Sequence, residues 1–142
     1  MRVSIGSDHA GFEQKQSLVD YLVGKGYDVI DRGPDNDDRV DYPDYAAPVA
    51  HDVADGVAER GVLVCGTGIG MSMTANHIPG IRAALCGCEF QARATRQHNN
   101  ANVLCLGERV TGQGVALDIA ELFLNTAFEG GRHLRRINQI EG

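Results

Sequence analysis

Five short apolar runs, separated by segments of helical periodicity, limit what this chain of 142 residues can fold into. The runs are Val3-Ser4-Ile5-Gly6, Tyr27-Asp28-Val29-Ile30, Gly61 to Cys65, Ile81 to Cys86 and Val103-Leu104-Cys105-Leu106. Each is too short for a stable helix and suits a strand covered on both faces. Between the first two, Phe12, Leu18, Val19, Leu22 and Val23 fall at helical spacing, and Gly24 and Gly26 close the segment. Further helices are expected over Tyr45 to Val57, after the third run to about Asn76, over Glu89 to Gln97 and over Gly114 to Leu124. Pro43 suits the first turn of the second helix. Asp31 to Asp41, polar and interrupted by Gly33-Pro34, reads as a loop. Alternation of strand and helix predicts an α/β fold: a five-stranded parallel sheet in three layers, with helices on both faces. The length suits a single domain over residues 1–142.

A parallel sheet binds its ligands beyond the carboxyl ends of the strands. That singles out Ser7-Asp8-His9-Ala10-Gly11, the turn after Cys65, Cys86 to Glu89, and Gly107-Glu108-Arg109. The turn Cys65-Gly66-Thr67-Gly68-Ile69-Gly70 is the most telling of these. A strand delivers a thiol into a glycine-rich bend, where unpaired backbone amides lower a thiol pKa and attract anions. The loop lacks the Lys-Ser/Thr of a nucleotide phosphate loop. Its glycines follow the third strand in the pattern Gly-x-Gly-x-Gly, which is not the dinucleotide fingerprint. It also lacks an arginine to clamp a phosphate. What remains is a thiol with backbone donors, an arrangement that suits a developing oxyanion. The plainer reading is a buried cysteine before a tight turn.

Three other groups carry chemistry. Asp8 and His9 can meet a hydroxyl or a phosphate, or Asp8 can simply cap the next helix. In Arg96-Gln97-His98-Asn99-Asn100, His98 can move a proton near neutral pH and Asn99 can hold a hydroxyl. The plain alternative there is a helix end with a left-handed asparagine. In Gly130-Gly131-Arg132-His133-Leu134-Arg135-Arg136, Arg132 and Arg136 share one face if the segment is helical, and paired guanidiniums match a phosphate. These basic groups stand out against a net charge of −6, which argues against nucleic acid or an anionic membrane as partner. Cys65, Cys86, Cys88 and Cys105 each lie in or beside an apolar run, as reduced core thiols do, and their spacing suits no zinc site. No apolar run is long enough to span a bilayer, and Met1-Arg2 leads directly into a strand, so no signal peptide is expected and a cytoplasmic location follows.

Together these segments resemble the type B ribose-5-phosphate isomerases, a family that includes galactose-6-phosphate and allose-6-phosphate isomerases. The likeness rests on Ser7 to Gly11, Asp41-Tyr42-Pro43, Cys65 to Gly70, Arg96 to Asn99, and Glu129-Gly130-Gly131-Arg132-His133 with Arg136. It implies a Rossmann-like sheet, no cofactor or metal, and a homodimer, or a tetramer, whose active sites draw on two subunits. Residues 126–142 would complete a site or a dimer contact. By resemblance, Cys65 takes the proton beside the sugar carbonyl and His98 assists ring opening. Gly66, Gly68, Ile69 and Gly70 hold the enediolate, with Thr67 close by. His9, Arg109, Arg132 and Arg136 bind the phosphate or lie near it, and Asp8, Tyr42 and Asn99 contact the sugar. Methionine at position 71, where one branch of the family has a glutamate base, places the chain in the cysteine branch. The expected reaction is aldose–ketose isomerisation of ribose 5-phosphate. A tetrose or hexose phosphate, a free aldose, or a non-catalytic sugar-phosphate module are the alternatives.

Overall fold

A computed structural model describes all 142 residues. Strands β1 (Arg2–Ser7), β2 (Asp28–Asp31), β3 (Arg60–Cys65), β4 (Ala83–Leu85) and β5 (Val103–Gly107) form one sheet in the order β2-β1-β3-β5-β4. Every neighbouring pair is parallel. Helices α1 (Phe12–Gly24), α4 (Glu89–Asn99) and α5 (Gln113–Asn125) pack on one face. Helices α2 (Tyr42–Ala54) and α3 (Ile69–Ala75) pack on the other. A last helix, α6 (Arg132–Glu141), docks on α4. This is the three-layer, Rossmann-like α/β architecture expected from the alternating pattern. No helix is long and apolar enough to cross a membrane.

The period of two along a strand divides the core. Val3, Ile5, Val62, Val64, Leu104 and Leu106 meet α1, α4 and α5. Leu63, Cys65, Val103 and Cys105 meet α2 and α3. Burial of each large aliphatic side chain contributes about 1.5–3 kcal/mol, so the central strands β1, β3 and β5 carry most of the apolar stabilisation.

Some boundaries move for local reasons. Helix α2 starts at Tyr42 rather than Tyr45, because its exposed first turn holds Pro43 and leaves no apolar signature. It stops at Ala54 rather than Val57, where Gly56 takes a positive φ of 77°. Strand β4 is three residues long, since the Arg82 amide turns away to the Asn102 side chain. Not all the cysteines are core thiols. Cys65, Cys86 and Cys105 are buried, but Cys88 is exposed at the start of α4. Burial pushes the Cys86 thiol up to about 12 and raises that of Cys105 as well, so both stay protonated.

Two buried charges fix the β1–β2 end of the sheet. Lys15 is fully buried, and its Nζ donates to both carboxylate oxygens of Asp31 (2.9 and 3.0 Å) and to the Pro34 carbonyl (2.9 Å). Asp52 on α2 accepts from the buried Ser4 hydroxyl at 2.7 Å and from Arg32 in a fork of two 2.7 Å bonds. Burial opposes charge on Asp52, but the hydrogen bonds from Arg32 and Ser4 outweigh it and hold the carboxyl below its ordinary value of 3.8.

Asp52→Ala leaves Ser4 and Arg32 without their acceptor, and urea denaturation near neutral pH should show a loss of about 2 kcal/mol. A carboxyl with a depressed folded pKa stabilises above its unfolded value and loses that contribution as pH falls through the folded one. The gap between wild type and Asp52→Ala should therefore be constant above pH 5 and close below about 4.

Candidate active site

Strands β1 and β3 are neighbours, yet α1 leaves β1 on one face and α3 leaves β3 on the other. Their carboxyl ends therefore frame a crevice. A cleft of about 450 Å³ opens there, lined by Asp8 and His9 after β1, by Cys65, Gly66, Thr67, Ile69 and Gly70 after β3, and by Arg109 after β5. Tyr42, Ala10 and Met73 complete its wall. Ala10 belongs to the segment singled out after β1, whereas Met73, an apolar residue of α3, was given no role.

The turn that presents the thiol is fixed from several sides. The Glu108 amide donates to the Cys65 carbonyl (2.9 Å) and the Arg109 amide to the Gly66 carbonyl (3.1 Å). Gly68 adopts a φ of 80°, which disfavours a side chain, and a Cβ there would stand 2.6 Å from Leu85 and 2.9 Å from the Leu106 backbone. At Gly70 a Cβ would meet the Tyr42 ring at 2.6 Å, so the ring lies against the first turn of α3. The Gly68 amide donates to Cys65 Sγ at 3.1 Å. The Ile69 amide donates to the Thr67 hydroxyl at 3.2 Å. The amides of Gly66 and Thr67 donate to nothing within the chain and are free for an incoming oxygen.

Asp8 does what the plainer reading expected and also lines the cleft. Its Oδ1 accepts from the Ala10 and Gly11 amides (2.9 and 3.1 Å), which leaves Oδ2 for another donor. His9 Nδ1 accepts from the Val40 amide at 3.3 Å. The neutral ring then carries its proton on Nε2. Residues 32–41, read as a plain loop, thus reach the site and fix a tautomer.

The remaining predicted residues lie elsewhere. Helix α4 runs back against the strand direction for 11 residues, about 16 Å. Its last residues, His98 and Asn99, therefore sit at the amino edge of the sheet, opposite Cys65. Asn99 lines a separate cleft of about 620 Å³ with Arg82, Thr95 and Glu141. That cleft holds no thiol or free charge, since Arg82 and Glu141 form an ion pair. Asn100, rather than Asn99, is the left-handed residue that ends α4, at φ 46°. Arg132 and Arg136 are exposed side by side on α6, while His133 and Ile137 bury the opposite face. Arg96, in the polar segment that also holds His98, is turned inward rather than toward a ligand. It is 3% exposed and donates to the Thr126 and Ala101 carbonyls and to Asn100 Oδ1. Burial, with Arg60 and Arg82 nearby, lowers its pKa to about 10, so it remains a charged structural tie.

At this edge the structure adds two residues to which the sequence gave no role. His133 stacks on His98 with centroids 4.5 Å apart and planes 20° from parallel. Glu129 Oε1 lies 3.5 Å from His133 Nε2 and 3.9 Å from His98 Nε2. The three ligand atoms fall within 4.8 Å of one another. Ring planes inclined by 20° do not converge within the ~2 Å of a metal–nitrogen bond, and Arg132 and Arg136 add positive charge, so the trio suits proton handling better than a cation.

The chain is similar to known proteins over nearly its whole length. A family model described as Ribose/Galactose Isomerase matches residues 3–140. The ribose-5-phosphate isomerase B of Escherichia coli (strain K12) is 45% identical over 139 residues, which cover 98% of this chain and 93% of that protein. The structure of Clostridium thermocellum ribose-5-phosphate isomerase B superposes with a TM-score of 0.98 at 48% identity, covering 99% of this chain and 95% of that one. That of the Mycoplasma genitalium ribose-5-phosphate isomerase B with bound ribulose-5-phosphate superposes with a TM-score of 0.95 at 43% identity, covering 99% and 93%. Matched by the family model over residues 3–140, and with its fold and nearly its whole length in common with these proteins, the chain belongs to the ribose/galactose isomerase family.

Proposed function

We propose that the protein interconverts ribose 5-phosphate and ribulose 5-phosphate through a cis-enediolate. The observation that carries this reading is the Cys65 sulfur, held by the Gly68 amide beside the free amides of Gly66 and Thr67. A proton next to a carbonyl is weakly acidic, so a base needs donors already in place for the charge that develops. Cys65 takes the C2 proton of the open aldose, and the electron pair moves to the C1 oxygen. A proton passes from the C2 oxygen to the C1 oxygen, with the Thr67 hydroxyl at hand, and Cys65 returns its proton to C1. The turn from Gly66 to Gly70 holds the enediolate, and each such donor is typically worth about 3 kcal/mol of barrier. Asp8 Oδ2 and Tyr42 contact the sugar. His9, through Nε2–H, and Arg109 face the phosphate end.

This half-site has a base but no group to open the sugar ring, and only one arginine. The missing groups, His98, Asn99, Arg132 and Arg136, lie at the far edge of the same sheet. A second copy of the chain brings that edge to the Cys65 cleft, so the working form is a homodimer with shared sites. Residues 126–142 then complete the partner's site, and Arg132 and Arg136 grip the phosphate. Exposed apolar side chains support such a contact: Ile69, Met73, Leu85 and Phe90 lie around the mouth of the cleft and along the β4 edge.

Cys65→Ala should fold normally and lose roughly 10²- to 10⁴-fold in kcat. Turnover near wild type would remove the base assignment. Arg132→Ala and Arg136→Ala should each raise KM for phosphorylated sugars about tenfold or more and leave any activity on free pentoses unchanged. An assay panel of four-, five- and six-carbon aldoses, with and without phosphate, should give the largest kcat/KM with ribose 5-phosphate. Unfolded together and refolded, Cys65→Ala and His98→Asn should recover about a quarter of wild-type activity, since random pairing gives half the dimers one intact site. No recovery on mixing would mean that each chain works alone.

A further inference from the structure

At the junction of α4 and α6, Glu129 and His133, which the proposed chemistry leaves unused, lie against His98. The Glu129 amide donates to the Gln97 carbonyl at 3.1 Å, next to His98. Gly130 and Gly131 then turn the chain at positive φ (71° and 58°), and α6 starts so that His133 lies against the His98 ring. His133 is 6% exposed, and its Nε2 has no hydrogen-bond partner and points to Glu129. Burial, then the charges of Arg132, His98 and Arg136, hold its pKa below the ordinary imidazole value, against the weaker pull of Glu129. The Glu129 carboxylate thus faces the Nε2 edges of both stacked rings, 3.5 Å from His133 and 3.9 Å from His98.

We propose that Glu129 and His133 are positioning residues for ring opening: the His133 ring fixes the plane of His98, and the Glu129 carboxylate sets the orientation of its Nε2 edge. This rests on the isomerase reading above. In the step itself, the C1 hydroxyl loses its proton, the bond between C1 and the ring oxygen breaks, and the ring oxygen gains a proton. His98 carries both transfers and ends as it began. Neither Glu129 nor His133 touches the sugar, and both act through the orientation and charge of His98.

The chemistry of the two sugars allows a test that a merely structural role would not pass. Ribulose 5-phosphate has its C5 oxygen esterified and cannot close a five- or six-membered ring. Exchange of its C1 hydrogen with deuterated water therefore needs Cys65 and the enediolate donors but no ring opening. Glu129→Gln and His133→Phe are compared with wild type and with His98→Asn in two assays, net conversion of ribose 5-phosphate to ribulose 5-phosphate, which must open the ring, and C1 exchange in ribulose 5-phosphate. Glu129 is half-exposed, so its substitution leaves the fold intact. Glu129→Gln should slow net conversion about tenfold while C1 exchange stays within about twofold of wild type, with Glu129→Asp recovering part of the loss. His133→Phe, which keeps a ring in the stack, should lose less than His133→Ala. Equal loss of conversion and exchange in Glu129→Gln would reduce the pair to a structural role and overturn the proposal. So would wild-type conversion by Glu129→Gln beside a defective His98→Asn. A wild-type enzyme that neither converts nor exchanges would instead sink the isomerase reading, and this one with it.

Discussion

All five strands run in one direction, and the rest of the molecule follows from that. Each helix that joins two of them must run back, so segments after strands collect at one edge and helix ends at the other. The two edges acquire different chemistry. The carboxyl edge receives tight turns with free amides, a thiol and the amino ends of helices, an environment that favours negative charge. The amino edge receives the end of α4 and the α6 that packs on it, with their histidines and arginines. On the proposed reading, one polarity supplies the enediolate and the other opens the ring and holds the phosphate. On that same reading, association of two chains would join complementary half-sites, and a dimer would be a chemical requirement before a stabilising one.

The central strands were legible because burial on both faces leaves an unbroken apolar run. The thiol turn was legible because its glycines serve backbone geometry, and backbone geometry leaves a mark in the sequence. Charged groups inside the fold were not. Periodicity counts Lys15, Asp52 and Arg96 as solvent-facing, and only the tertiary arrangement shows each surrounded by acceptors or donors. Glu129 and His133 are four apart, but Gly130 and Gly131 at positive φ break any helix between them, so spacing does not predict their pairing. Their approach to His98 depends on how residues 126–131 lie along α4, which spacing does not report. The separation of His98 from Cys65 was implicit in the alternating pattern, since a helix following a strand ends at the other edge. The family resemblance, by collecting all the site residues under one heading, draws attention away from that geometry.

The position of the thiol depends on neighbours distant in sequence. The turn that follows β5 supplies the amides that pin the Cys65 turn, and a Cβ on Gly107 would collide with the Thr67 backbone at 2.6 Å. Leu85 and Leu106 close in on Gly68, and Tyr42 covers Gly70. Residues from α2, β4 and β5 thus share in placing one sulfur atom, and the order β3-β5-β4 is what brings two of those elements to it.

The exposure of Cys88 bears on how the chemistry of the protein is read from outside. Of four thiols, two are locked in their protonated form by burial, one lines the cleft and one stands on the surface. An alkylating or oxidising reagent will find Cys88 first, at the exposed start of α4. Counting modified sulfurs in the intact protein would therefore overstate damage to the cleft. Only a peptide-level map that separates Cys88 from Cys65 ties a lost thiol to lost turnover.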